Sequence, residues 1–112
     1  MDLYFLAAIN LFNKKVVFWG ASVFLEQFIE KYNPAKKNLL GIIDKNPSRW
    51  GEKIGNFEIF APEEISNLQP DFVALTIRYK NRIIFEDIKN FLKKEYPNIK
   101  IFPNIWKIFY ND

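Results

Sequence analysis

Gly20, Ala21 and Ser22 follow the continuous apolar run from Lys15 to Trp19, and Asp44 closes a second such run, Asn38 to Asp44, about 24 residues beyond the glycine. A glycine that ends a strand and opens a helix lets backbone N–H groups face an anion. An acidic side chain about 20 residues further along a βαβ unit suits a ribose hydroxyl. Of the three glycines in the dinucleotide-binding pattern, the chain has the first as Gly20, with Ser22 at the second place and Leu25 at the third. Ser22 can donate to a phosphate beside the helix N–H groups, or it can simply cap the helix that follows. Asp44 can hold a ribose, or it can start the turn Asp44-Lys45-Asn46-Pro47. The sequence leaves both pairs of roles open.

Basic and aromatic residues near these positions extend the reading. Lys45 and Arg49 could accept a 2′-phosphate, which leaves phosphorylated and plain dinucleotides equally open. Arg78 and Lys80 end a later apolar run and could neutralise a diphosphate, Arg through a two-pronged contact, or could be surface charges beside a helix start. Trp19 and Trp50 could stack on a base, although Trp19 at a strand end also suits the core. With no His and no Cys, the chain has no imidazole for acid–base work, no disulfide framework and none of the usual zinc ligand sets, so no metal is expected. Tyr32 and Lys36 have the Tyr-x-x-x-Lys spacing of a dehydrogenase pair, but Pro34 between them breaks the helix that this chemistry needs. There is no Gly-x-Ser-x-Gly, no Walker loop and no pair of acids after the first strand. No catalytic residue is assigned.

The elements that must position these residues alternate. KVVFW (Lys15 to Trp19) predicts a strand buried on both faces. Phe24, Leu25, Phe28, Ile29 and Tyr32 recur at helical spacing until Asn33-Pro34. Asn38 to Asp44 predicts a second strand, followed by the turn-rich KNPSRWGEKIGN and a short third strand at Phe57 to Phe60. Pro62 opens a helical turn with two acids at its positive end. Asp71 to Ile77 predicts a fourth strand, Asn81 to Glu95 a helix with Ile84, Ile88, Phe91 and Leu92 on one face, and Ile99 to Phe102 a fifth strand. This alternation predicts an α/β fold, a small doubly wound parallel sheet of Rossmann-like type with strand order 3-2-1-4-5. In such a sheet ligands bind at the carboxyl ends of the strands where the order reverses, between strands one and four.

At 112 residues one domain is expected, with a helix over 1–13, a core over 14–104 and a tail over 105–112. Hydrophobic residues at 49% and twelve Phe exclude a disordered chain. Sixteen basic and thirteen acidic residues are interspersed, which argues against a nucleic-acid footprint. The N-terminal stretch MDLYFLAAINLF has no basic residues ahead of it and is shorter than the roughly 20 residues of a membrane span, so a cytoplasmic protein is expected. Together with IWKIFY it suits docking on a second copy or on a partner enzyme.

The segments GAS, IIDKNPSRWGEKIGNFEIFAPEEI and LQPDFVAL resemble a group of small Rossmann-like domains from bacterial surface-polysaccharide biosynthesis. These are the C-terminal domain of sugar-nucleotide C-methyltransferases and the N-terminal domains of certain sugar acyltransferases and capsule-type epimerase/dehydratases. The resemblance covers roughly residues 14–104 and implies a domain that binds or helps position a nucleotide-containing ligand, such as NAD(P) or a nucleotide sugar, or acts as a partner domain, while the reaction is run elsewhere. It implies that Gly20, Ala21, Ser22 and Asp44 line the nucleotide site, with Gly51 and Gly55 shaping the loop after Asp44. Unlike those relatives, the chain carries no catalytic domain, which implies either a partner enzyme or a piece of a longer chain. The alternatives are an interaction module built on a worn-down nucleotide fold and a small NAD(P)-dependent sugar-nucleotide enzyme.

Overall fold

The β-branched and aromatic run Val16–Trp19 forms β1, the strand around which everything else is arranged. The computed structural model describes residues 14–32, 34, 37–77 and 82–102. The expected N-terminal helix, the C-terminal tail and the stretch from Arg78 to Asn81 lie outside the described residues. After β1 come α1 (Val23–Tyr32), β2 (Leu39–Ile43), β3 (Lys53–Ile54), β4 (Phe57–Phe60), α2 (Ile65–Leu68), β5 (Phe72–Leu75), α3 (Arg82–Glu95) and β6 (Lys100–Phe102). Short 3-10 turns at Pro47–Arg49 and Pro62–Glu64 precede β3 and α2.

The strands form one sheet in the order β3-β4-β2-β1-β5-β6. β1 pairs in parallel with β2 on one side, Trp19 opposite Ile43, and with β5 on the other, Trp19 opposite Leu75. β2–β4 and β5–β6 are also parallel. The five expected strands thus take the expected order, and the sheet is doubly wound. All four residues of β1 are buried because both sheet faces are covered. Val16 and Phe18 pack with Leu25, Phe28 and Ile29 of α1, where Phe18 and Phe28 meet edge to face at 5.4 Å. Val17 and Trp19 pack on the other face with Ile65 of α2 and Ile88 and Leu92 of α3. Trp19 is 2% exposed and meets Phe91 edge to face at 5.7 Å, so it is a core residue.

Two details differ from the sequence expectation. The segment expected as turn alone contains β3, which runs antiparallel to β4 with Ile54 opposite Phe57. Gly55, at φ +60°, opens the two-residue turn between them, which lets Ile54 fold under α1. β2 and β4 are therefore joined by this hairpin rather than by a second helix. On α3, Ile88 and Leu92 are buried as expected, but Ile84 is 45% exposed. Phe85 packs into the core instead, because the buried stripe runs 85, 88, 92 along the helix.

Candidate functional site

The carboxyl ends of β1, β2 and β5 converge on the turn at Gly20 to Ser22. Gly20 is buried and has φ +125°, a conformation that side-chain-bearing residues rarely adopt. A Cβ there would lie 2.8 Å from Ile77 Cγ2 and 3.1 Å from the Ile77 nitrogen. The glycine is thus required by the close approach of the β1 and β5 ends. Its N–H donates to Ile43 O at 2.8 Å, which ties the turn to β2 as well.

Thr76, which sequence reasoning did not single out, holds the other side. It is buried, its N–H donates to Trp19 O at 2.9 Å, and its Oγ1 lies 2.9 Å from Trp19 O and 2.8 Å from Gly20 O. Its only signal in the sequence is a hydroxyl at the end of an otherwise apolar strand. Ser22 is the cap of α1: its Oγ accepts from Leu25 N at 3.1 Å and donates to Thr76 O at 3.2 Å. The hydroxyl hydrogen is therefore engaged within the protein.

Asp44 reaches across from β2. It is half-buried, its Oδ2 accepts from Ala21 N at 2.9 Å and its Oδ1 from Asn46 N at 2.9 Å. The residue is thus a turn starter and a neighbour of the glycine turn at once. A carboxylate offers about four lone-pair directions, so each oxygen of Asp44 keeps capacity for another donor. Arg49 completes the clamp on Ala21, with Nη1 donating to Ala21 O at 3.2 Å and Nε pairing with Glu52 Oε1 at 2.7 Å. Asp44 and Arg49 therefore grip the N–H and the C=O of one residue. An anion that reaches the Ala21 N–H has to displace the Asp44 carboxylate.

Trp50 stands beside this clamp, and its Nε1–H donates to Asp44 O at 2.7 Å. Lys45 is exposed and forms no ion pair among the described residues. Arg78 and Lys80 lie outside them. α1 ends at Tyr32, and Lys36 lies outside the described residues. Among the described residues no group of three His, Cys, Asp or Glu could hold a metal ion, and no helix is long and apolar enough to cross a membrane. Chemically, the arrangement offers one half-buried carboxylate with spare acceptor capacity, a guanidinium at its side and a partly exposed indole behind it.

Solved structures share this fold. The chain superposes on RSP, a Rex-family repressor, in two solved structures, one of them in complex with β-NADH, each with a TM-score of 0.54 and 22% identity. That match covers 80% of this chain and 46% of the repressor, so the chain spans about half the repressor's length. UDP-D-quinovosamine 4-dehydrogenase from Vibrio fischeri matches with a TM-score of 0.54 and 16% identity over 88% of this chain and 84% of that one. At these identities the likeness is one of fold. No curated protein matches the chain. The family described as C2185-like, N-terminal matches residues 12–102, and the chain belongs to that family.

Proposed function

We propose that this chain is a nucleotide- or nucleotide-sugar-binding domain that serves bacterial cell-surface sugar biosynthesis in the cytoplasm and leaves the reaction to a partner enzyme or another domain. The observation that carries the reading is the Asp44 carboxylate, oriented by the Ala21 and Asn46 N–H groups beside a glycine turn at the point where strand order reverses. Its remaining lone pairs accept ribose hydroxyls. Gly20, Ala21 and Ser22, whose N–H groups are already bonded within the protein, line the phosphates without donating to them, and the uncommitted N–H donors of Arg49, with Lys45 and Arg78, supply the positive charge. Lys45 and Arg49 also provide for a 2′-phosphate, so NADP is included with NAD among the candidates. Support comes from the shared fold of the β-NADH-bound repressor and of the UDP-D-quinovosamine dehydrogenase.

A thermal-shift panel with NAD, NADP, coenzyme A and uridine-, thymidine- and cytidine-diphosphate sugars tests this. Ligand at a hundredfold over its dissociation constant adds about 2.7 kcal/mol, a rise of several degrees for a domain of this size. A shift with one class identifies the ligand. A flat panel sinks the reading. It then favours an interaction module, a homodimer or a heteromeric contact, for which the exposed Val23, Ile83 and Ile84 at the starts of α1 and α3 are the specific observation. Turnover of a nucleotide sugar by the isolated chain would overturn its non-catalytic role.

A further inference from the structure

Trp50 is exposed yet fixed. It is 41% accessible, but its indole N–H is bonded to Asp44 O and its backbone N–H donates to Pro47 O at 3.2 Å. The next residue, Gly51, donates to Ile59 O at 2.9 Å, which anchors the chain to β4. The loop beneath is closed by its own bonds: Asn46 Oδ1 accepts from Ser48 N at 3.1 Å and from Ser48 Oγ at 2.9 Å, while Arg49 bridges Ala21 and Glu52. The ring is thus held at its backbone and at its polar edge while part of its apolar surface meets water. A planar ring already immobilised gives a second planar ring a stacking surface at little further entropic cost.

The position of the ring matters as much as its rigidity. The bond to Asp44 O sets the indole directly beside the residue whose carboxylate faces the glycine turn. In any nucleotide the base is joined to the ribose, so a ribose on Asp44 brings its base within reach of the residues that flank Asp44, Trp50 among them.

We infer that Trp50 is the base-stacking platform of the site, and that it takes the purine or pyrimidine ring of a nucleotide whose ribose Asp44 holds. The inference rests on the nucleotide reading above. Stacking engages the π face and not the hydrogen-bonding edge, so Trp50 accepts adenine and uracil alike. Selection among nucleotides then falls to the groups that meet the phosphates and the distal half of the ligand.

The test is calorimetric titration of the whole chain with NAD and with UDP-glucose, in wild type, Trp50→Phe and Trp50→Ala, with tryptophan emission recorded in parallel. The expected result is a loss of about tenfold or more in affinity for Trp50→Ala and a change within about threefold for Trp50→Phe, which keeps a ring. Emission is read in a Trp106→Phe background, which leaves Trp50 and Trp19 as the emitting indoles; ligand quenching there should vanish once Trp50→Phe is added, since Trp19 is buried in the core. Wild-type affinity in Trp50→Ala, or quenching that survives in Trp50→Phe, overturns the stacking role and leaves the nucleotide reading standing. A loss in Trp50→Phe equal to that in Trp50→Ala also overturns it, because Trp50 would then act only by holding Asp44 through the indole N–H. If neither probe binds wild type, the same titrations use the panel nucleotide that raises the melting temperature; if none does, the nucleotide reading falls and the platform with it. Should Trp50→Ala fail to fold, the affinity and quenching of Trp50→Phe decide.

Discussion

The two ends of β1 use the same bond for different purposes. Where the chain enters the strand, Asp71 Oδ2 accepts from Lys15 N at 2.8 Å; where it leaves, Asp44 Oδ2 accepts from Ala21 N at 2.9 Å. Each is a carboxylate from a neighbouring strand end gripping a backbone N–H of the central strand's flank. At the entry, Asp71 is exposed, and the surrounding bonds (Asp71 N to Lys15 O, Lys100 N to Asp71 O) only extend the sheet ladder. At the exit, Asp44 is half-buried beside a glycine turn, a helix start, a guanidinium and an indole. A carboxylate tether is thus not a site by itself. Its surroundings, set by strand order, put its spare acceptor capacity beside a glycine turn, a guanidinium and an indole.

The largest effect expected on this contrast is structural and confined to the exit. Gly20→Ala combines a strained φ with a Cβ inside contact distance of Ile77, and about 3 kcal/mol of stability should be lost in chemical denaturation. A loss under about 1 kcal/mol would mean that the β1 and β5 ends separate easily and do not form a rigid floor. Next comes the pair Asp44→Ala and Asp71→Ala. Asp44 satisfies two backbone N–H groups and should cost about 2 kcal/mol, against about 1 kcal/mol for exposed Asp71. In titration with NAD or UDP-glucose, only Asp44→Ala should weaken binding. Equal loss from both variants would reduce Asp44 to a second tether. Ser22→Ala, the smallest, removes the cap of α1 for about 1 kcal/mol or less. Ligand affinity in that variant separates its roles: a fall beyond what the stability change explains would give the hydroxyl a contact with phosphate.

The order of the five main strands was legible because each carries its own signal. A four-residue run such as Val16–Trp19, apolar on every position, belongs in the middle of a covered sheet, and the alternation with helices forces parallel pairing. β3 was not legible, since two residues, Lys53 and Ile54, carry no periodicity and exist as a strand only through pairing with Glu58 and Phe57. Ile84 was misplaced for a related reason: spacing along a helix shows that a stripe exists, but the neighbouring sheet selects which of two adjacent residues, Ile84 or Phe85, turns inward.

The site divides in the same way. Gly20 and Asp44 could be picked out from residue type and spacing, because few residues tolerate a buried turn at positive φ and a carboxylate after a strand invites backbone N–H groups. Thr76 could not, since a threonine closing an apolar strand looks like any other strand residue until β5 lies beside β1.

By itself the sequence determined the five main strands and the helices among the described residues that lie between them, that those five strands run parallel in a doubly wound sheet, and that Gly20 and Asp44 lie near its carboxyl edge. These follow from local pattern and chirality, which act within one element or one crossover. Only the tertiary structure decided that Asp44 and Arg49 close on opposite ends of Ala21, that the Ser22 hydroxyl is engaged by Leu25 and Thr76, and that Trp19 is core while Trp50 stands exposed at the site. Apart from the Ser22–Leu25 cap, those outcomes depend on contacts between residues far apart in the chain, and no local pattern encodes a partner that folding alone brings within hydrogen-bonding distance.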